Sequence, residues 1–377
     1  MPRKGENIFK RKDGRWEARY IHHYENGVAR YHSLYAKSYS EVKAKKQAAV
    51  SLASTQASLP TRGARSFEEL ARLWLCDVRM AVKESTYTRY DRAVRKYILP
   101  SIGNRPLHTL DSLAVNTFGE ALLKGGGAGG NPLSPKTVTD ILCVLKAILH
   151  FGYQNKLMSN IVDGIRYPKK CKKEIKVLKP ENLSTLEKIL IRSEDTTSIG
   201  ILLSLFTGIR IGELCGLLWS DFDFTNGILS IRRTVERITD LTPNATSRTK
   251  VVVGTPKTAT ALRTIPLPSF IIEKLRRFSH LSQQYVITGR DTFIEPHTFY
   301  IRYRRFMRKH GMDAYPFHAL RHTFATRCVA LGFDAKSLAE ILGHASISTT
   351  LSVYVHPSLE EKRKQMEMLV PCANSLS

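Results

Sequence analysis

The sequence predicts a multidomain chain, mainly α-helical with small β elements. Three observations predict it. The length of 377 residues exceeds what one domain of about 100–200 residues needs. Apolar spacing switches from period two before residue 37 to three and four after Ser66. Two stretches, the small ASLPTRGA of residues 57–64 and the basic RYPKKCKKEIK of residues 166–176, suit connections. The boundaries that follow are 1–57 for a small β-domain, 58–64 for a linker, 65–165 for a helical domain and 166–176 for a basic linker. A mixed α+β domain then spans 177–356, and a tail spans 357–377.

Residues 7–36 read as three short strands, Asn7–Lys10, Trp16–His22 and Val28–Tyr35, joined by the turns Lys12-Asp13-Gly14 and Glu25-Asn26-Gly27. Trp16, Ala18 and Tyr20 alternate with Arg15, Glu17 and Arg19, so one face of the sheet can pack while the other stays polar. Ser38 to Glu41 caps a helix that covers the packed face. A small cationic sheet of this kind suits the DNA major groove, with Arg15 and Arg19 as candidate contacts.

From Ser66 onward Phe67, Leu70, Ala71, Leu73, Trp74 and Leu75 mark a first helix, and Ser85-Thr86 opens a second that ends before Pro100. Leu113–Leu123 and Pro135–Tyr153 supply two more, separated by a flexible GGGAGG at residues 125–130. The exposed face of the second helix carries Arg89, Arg92 and Lys96, further candidate DNA contacts. Beyond the basic linker, Lys179–Leu190 and Ile199–Leu218 are helical. Phe222–Thr234 and Val251–Leu267 read as one small antiparallel sheet with a polar excursion at residues 235–250, and helices return from Thr298.

Lys and Arg number 58 against 33 Asp and Glu, a formal charge of +25. The excess is even, +8 for residues 1–64, +9 for 65–173 and +8 for 174–377. A single basic tail would have concentrated it, so each region is expected to face a polyanion, nucleic acid first. Hydrophobic residues at 42% exclude wholesale disorder. Six scattered cysteines form no CxxC pair, which speaks against a zinc site or a disulfide scaffold and suits a reducing compartment. The opening MPRKGENIFKRKDGRW lacks an apolar leader and no run of about 18 apolar residues occurs, so no membrane partner is expected. The expected location is the cytoplasm, at the nucleoid.

Three segments are polar where a core pattern asks for apolar residues. Thr207 to Leu214 (TGIRIGEL) breaks an apolar run and puts Arg210 and Glu213 on one helical face. His318 and Arg321 share a face in HALRHTFAT. The third segment runs from His344 to Tyr354. These residues include no HExxH and no carboxylate cluster, which argues against a metal-dependent nuclease. They do supply what metal-free phosphodiester chemistry requires. Guanidiniums bind non-bridging oxygens bidentately, imidazoles move protons near neutrality, and a phenol attacks once its ionisation is assisted.

TGIRIGEL, HALRHTFAT and LGHASISTTLSVY resemble the signature boxes of the tyrosine recombinases, the phage integrase family, in the family's order. The resemblance implies a catalytic domain of the tyrosine recombinase type, a helical core-binding domain and an arm-site β-domain, the layout of integrases from temperate phages and conjugative transposons. It makes Tyr354 the nucleophile, Arg210 and Arg321 the phosphate clamps, His318 an aid to deprotonation of the tyrosine, His344 a phosphate ligand, and Glu213 a supporting residue. Lys257 resembles the β-hairpin lysine that protonates the leaving oxygen, preferred over Lys250 because PKT leads into RTIPL. Ten residues separate His344 from Tyr354, where many members have nine. No cofactor, metal or ATP is implied. The implied partners are double-stranded DNA at core and arm sites and three further copies of the chain in a tetramer on DNA. A DNA-bending host factor and an excision factor are candidate partners, and the tail would dock on a neighbouring subunit. The resulting expectation is an integrase that inserts and excises a mobile element. A resolvase or invertase of the same family, and a non-catalytic DNA-binding regulator, are the alternatives; the filled catalytic positions count against the regulator.

Overall fold

The computed structural model describes all residues except 1–6, 12, 26–27, 58–65, 170–175, 243–244, 257–258, 279–282 and 314, and after Tyr354 only Arg363, Met366 and Glu367. The expected turn at Asn26-Gly27, most of both linkers and nearly all of the tail thus lie outside the described residues. The chain divides into two compact units, residues 1–80 with 92–168, and residues 81–91 with 169–377.

The first unit opens with an antiparallel sheet of β1 (Ile8–Lys10), β2 (Trp16–Glu25) and β3 (Val28–Ala36), in that order. Ile8 lies opposite Ala18, and Trp16 opposite Ala36. The helix α1 (Tyr39–Ala57) starts at Ser38, whose Oγ accepts the Glu41 N–H at 3.2 Å. Its Val42 closes a small core with Ile8, Ala18 and Ala36, while the Trp16 and Tyr39 rings meet edge-on at 5.2 Å. The polar face is not wholly solvated, as the alternation predicted. Glu17 is only 1% exposed. Its carboxylate accepts from Arg19 at 2.8 Å, Ser33 at 2.8 Å and Arg11 at 3.0 Å. The arginine side chains roof it over, which residue type alone does not announce.

The helical part contains α2 (Phe67–Ala81), α4 (Leu99–Ile102), α5 (Ser112–Gly125) and α6 (Pro135–Gln154), while α3 (Glu84–Ala93) belongs mostly to the second unit. A reciprocal capping box between Ser66 and Glu69 begins α2, Asp111 caps α5, and Ser134 before Pro135 caps α6. Pro100 does not end the helix, contrary to expectation. Val94–Ile98 form a π turn in which the Leu99 N–H bonds to the Val94 carbonyl, and α4 continues through the proline. The wider turn relieves the clash that a proline ring makes with the preceding turn of an α-helix. The glycine-rich segment after α5 is a closed turn rather than a flexible tether, with the Gly127 N–H bonded to the Asn131 carbonyl at 2.7 Å.

The second unit holds α7 (Pro180–Arg192), α8 (Thr196–Thr207) and α9 (Ile211–Cys215), followed by β4 (Phe222–Asp223), β5 (Ile228–Ile231), β6 (Thr234–Thr239), β7 (Thr249–Gly254) and β8 (Arg263–Pro266). Then come α10 (Ser269–Arg276), α11 (Pro296–Lys309), α12 (His318–Ala330), α13 (Ala335–Leu342) and α14 (Ile347–Tyr354). The apolar α8 is the centre, packed among α7, α11 and α12. Phe317 meets Phe299 and Tyr303 edge-on at 5.7 and 5.1 Å.

Two sheets stand where the sequence predicts one. Strands β4, β5 and β8 form the first; β6 and β7 form a separate hairpin with Thr234 opposite Gly254. The expected excursion at 235–250 is therefore strand at its two ends, over residues 235–239 and 249–250. Its buried residues, Val235 and Ile238, are three apart and break the period-two signature. Arg233 marks the break between sheets by turning inward onto Asp221 at 2.6 Å. The helix α10 falls where the sequence predicts no element. The cysteines among the described residues are unbridged, and no helix among them is long and apolar enough to cross a membrane.

The cage around Glu17 makes an acid-stability prediction. Hydrogen bonds from Arg19, then Ser33 and Arg11, hold its carboxyl down at about 2 against the opposing effect of burial. A folded-state value below the unfolded one gives stability that is complete above about pH 4.3 and is lost as pH falls towards 2. In thermal unfolding, Glu17→Gln should lower the melting temperature of the β-domain at pH 7. The gap to wild type should shrink on acidification from pH 5 to pH 2.5, whereas a constant gap would assign the loss to packing.

Candidate active site

Two helix ends build the frame of the site. The helix α8 stops at Gly208 and α13 stops at Gly343, both left-handed with φ of 65°. A side chain at Gly208 would meet Leu342 and Phe324 at 2.7 Å, and one at Gly343 would meet the Arg263 guanidinium at 3.0 Å. Glycine alone fits these conformations without strain. Each turn aims the following residues, Arg210 and His344, towards one point.

At that point lies Arg321, on the first turn of α12 and only 2% exposed. Its Nη1 donates to the Gly208 carbonyl at 2.6 Å; its Nη2 donates to the Leu342 carbonyl at 2.7 Å and lies 2.9 Å from His344 Nε2. Burial, then the charge of Arg210, pushes its pKa down to about 9, which still leaves it charged at neutral pH. Arg210 sits at the N-terminal boundary of α9, its side chain 40% exposed, with Nη1 2.9 Å from Glu213 Oε1. Glu213 also accepts the Arg210 backbone N–H at 3.0 Å.

Glu213 is 3% exposed and answers to a second cation. Arg263, at the start of β8, forks onto both carboxylate oxygens at 2.9 and 3.2 Å and donates through Nε to the Ile341 carbonyl at 2.6 Å. Burial is the largest influence and raises the Glu213 pKa, but Arg263 and then Arg210 outweigh it and hold the carboxyl below its ordinary value. Glu213 is thus a fixed anion that orients Arg210.

The histidines and the tyrosine complete the cluster. Since a guanidinium only donates, His344 Nε2 must accept from Arg321, which puts the ring proton on Nδ1, 2.8 Å from Thr350 Oγ1. Burial, then Arg321, Arg210 and Arg263, push His344 down to about 4. His318 faces a cleft of about 600 Å³ shared with Arg210, His297, Tyr300, Phe317 and Arg321. Partial burial, then the charges of His322, Arg321 and Arg210, push it to about 4 as well, although the residue is exposed towards solvent. Tyr354, the last residue of α14, is buried on Ala325, Cys328, Leu338 and Leu342. Its ring lies parallel to His344 with centroids 6.4 Å apart. Burial raises the phenol pKa against the opposing charges of Arg321 and Arg210. The phenolic oxygen lies 2.8 Å from Nδ1 of His322, and His318 packs edge-on against His322 at 4.5 Å.

Six of the expected residues, Arg210, Glu213, His318, Arg321, His344 and Tyr354, therefore come together. Lys257 lies outside the described residues. Its rival Lys250 is engaged elsewhere, 2.7 Å from Glu84 and 3.6 Å from Asp240. The expected DNA contacts Arg15, Arg19, Arg89, Arg92 and Lys96 are all exposed. Arg15 forks onto Asp13, Arg19 donates through Nε to Glu17, and Lys96 lies over the Tyr97 ring at 5.2 Å. Sequence reasoning missed Arg263 and His322. Both carried a signal: Arg263 shares the inward parity of Ile265 and Leu267 on a strand, and His322 follows His318 by one helical turn.

Residues 176–361 match the phage integrase family, and residues 66–123 match the N-terminal SAM-like domain of phage integrases. A relative from Caldanaerobacter subterraneus subsp. tengcongensis, a tyrosine recombinase described as XerC-like, is 25% identical over 371 residues, covering 92% of this chain and 93% of its own. The solved structure of the Tn1549 transposon integrase with circular intermediate DNA shares the fold at a TM-score of 0.65 and 22% identity, over 81% of this chain and 100% of that one. A lambda integrase tetramer bound to a Holliday junction shares it at 0.54 and 15%, over 94% and 98%. Fold and site together define a site-specific recombinase of the tyrosine class. The chain belongs to the phage integrase family.

The His344 arrangement predicts a pH response of the DNA-free protein. Its pKa of about 4 in the fold lies below the unfolded value of 6.5, so between these limits the unfolded chain binds a proton that the folded chain refuses. Stability should therefore fall as pH drops from 6.5 to 4. His344→Asn, which cannot titrate, should flatten that slope in melting experiments; an unchanged slope would deny that the imidazole is held neutral.

Proposed function

We propose that this recombinase inserts and excises a mobile element, a prophage or a conjugative transposon, by metal-independent transesterification on double-stranded DNA. The observation that carries the reading is a charged, buried guanidinium, Arg321, hydrogen-bonded to His344 beside the ring of Tyr354. Tyr354 Oη forms a bond to the scissile phosphorus as the bond to the 5′-oxygen breaks, leaving a 3′-phosphotyrosine and a free 5′-hydroxyl. Arg210 and Arg321 hold the non-bridging oxygens and stabilise the charge that builds in the transition state. Glu213 fixes Arg210. An arriving phosphate raises the pKa of His344, so that its Nε2 takes a proton and donates to a phosphate oxygen. His318 assists departure of the phenolic proton, and Lys257 protonates the leaving 5′-oxygen. The phosphotyrosine conserves the bond energy, so neither ATP nor another cofactor is required.

Four such cuts, exchanged in pairs through a Holliday junction, need a tetramer on two duplexes. That a lambda integrase with this fold was solved as a tetramer on such a junction supports the assembly, and the transposon integrase on circular intermediate DNA supports the mobile-element reading. Residues 1–57 would bind arm sites and 65–165 the core site, through linkers 58–64 and 166–176. Residues 177–356 would perform the chemistry, with the tail 357–377 docked on a neighbouring subunit. DNA-bending and excision factors would join at the arms.

Incubation with a nicked suicide duplex from the element's own junction, without metal, tests the chemistry. Wild type should form a denaturation-resistant adduct that Tyr354→Phe abolishes; an adduct from that variant would move the nucleophile elsewhere. Arg321→Ala and Arg210→Ala should each slow adduct formation by about 100- to 1000-fold. Deleting residues 1–62 should spare core-site cleavage and remove arm-site binding in gel-shift assays.

A further inference from the structure

Among the groups around the nucleophile, His322 has no assigned task, yet it makes a hydrogen bond to the phenolic oxygen, 2.8 Å from Nδ1, beside the one from Arg321. His318, expected to serve the phenol, packs edge-on against His322 at 4.5 Å. We propose that His322 is the group that receives the proton of Tyr354 during cleavage and returns it during religation. This rests on the transesterification proposed above.

Geometry and chemistry agree. His322 and Tyr354 come from different helices, α12 and α14, so their contact reflects the assembled fold and not local sequence. The charged and titratable neighbours of the ring are His318 one turn earlier, Arg321 beside it and Tyr354 across it. Burial, then the charge of Arg321, lowers the His322 pKa below the ordinary value. The imidazole is thus neutral at pH 7, and with its proton on Nε2 it presents the Nδ1 lone pair to the phenol. The step balances. The phenolic proton moves to Nδ1 as Oη bonds to phosphorus, and the electron pair of the breaking bond leaves with the 5′-oxygen, which takes a proton from Lys257. In religation the 5′-hydroxyl attacks, the phenolate leaves, and His322 hands the proton back. His318 then acts one ring removed, orienting His322.

The test uses the full chain on the suicide duplex. His322→Ala loses both the hydrogen bond and the base; His322→Asn keeps a polar group near the Nδ1 position but accepts no proton. Both should bind the duplex as wild type does in a gel shift, which separates chemistry from folding. Both should form the adduct about 100-fold more slowly or worse at pH 7. Their rates should climb as pH rises towards ionisation of the phenol itself, while the wild-type rate levels off. Recovery by His322→Asn at pH 7, or wild-type rates in both variants with the loss confined to His318→Ala, would overturn the assignment to His322. Those results leave the transesterification standing. An adduct from Tyr354→Phe overturns both.

Discussion

The buried guanidinium of Arg321 is the constraint on which the site depends. A cation removed from water must find acceptors or leave the fold. It finds them in the carbonyls that end α8 and α13 and in the His344 ring. One side chain thus ties together three segments distant in sequence, residues 208, 321 and 342–344. The two carbonyl acceptors are there because a helix stops at each in a left-handed glycine, leaving its last carbonyls without helical partners. The same helix ends that make the site possible also need the cation to satisfy them. Site and scaffold are mutually dependent.

A second cation organises the surroundings. Arg263 neutralises Glu213, and Glu213 then spends its remaining lone pairs on the Arg210 side chain and backbone. The result is a graded set of guanidiniums. Arg263 is consumed by structure, Arg321 is buried but charged, and Arg210 is partly exposed towards the cleft. An anion entering the cleft meets the last two. Burial first, and then the crowding of positive charge, lower the pKa values of His344 and His318 in the DNA-free protein. An incoming phosphate would relieve that repulsion and make protonation favourable.

Much of this was legible. Arg210, Glu213, His318, Arg321, His344 and Tyr354 stood out because polar groups interrupted apolar helical patterns, and their family resemblance named the chemistry. Arg263 and His322 were harder, because their sequence signals, strand parity and a one-turn spacing, are weak until the partner across space is seen. The fold shows the same division. Capped helices at Ser66, Asp111 and Ser134 are local events with local signals. The passage through Pro100 was not readable, since a π turn depends on how the surrounding helices hold the backbone. The separation of the two sheets at Arg233 was also hidden, because the register of a strand is fixed by its partner, here Gly254 for Thr234 and Pro266 for Ile228.

The amino-acid order by itself determined which residues resemble the catalytic boxes of the family, the three-stranded opening sheet with its covering helix, and the helix boundaries marked by caps. These are properties of residue type and of neighbours within a turn or two. Only the folded chain decided which histidine touches the phenol, which arginine holds Glu213 and which remain turned towards the cleft. Those choices depend on burial and on hydrogen bonds between segments 32 and 50 residues apart, for which no spacing rule exists. Tyr354 stood out in the sequence; that His322 touches its phenolic oxygen follows from the way α14 lies against α12.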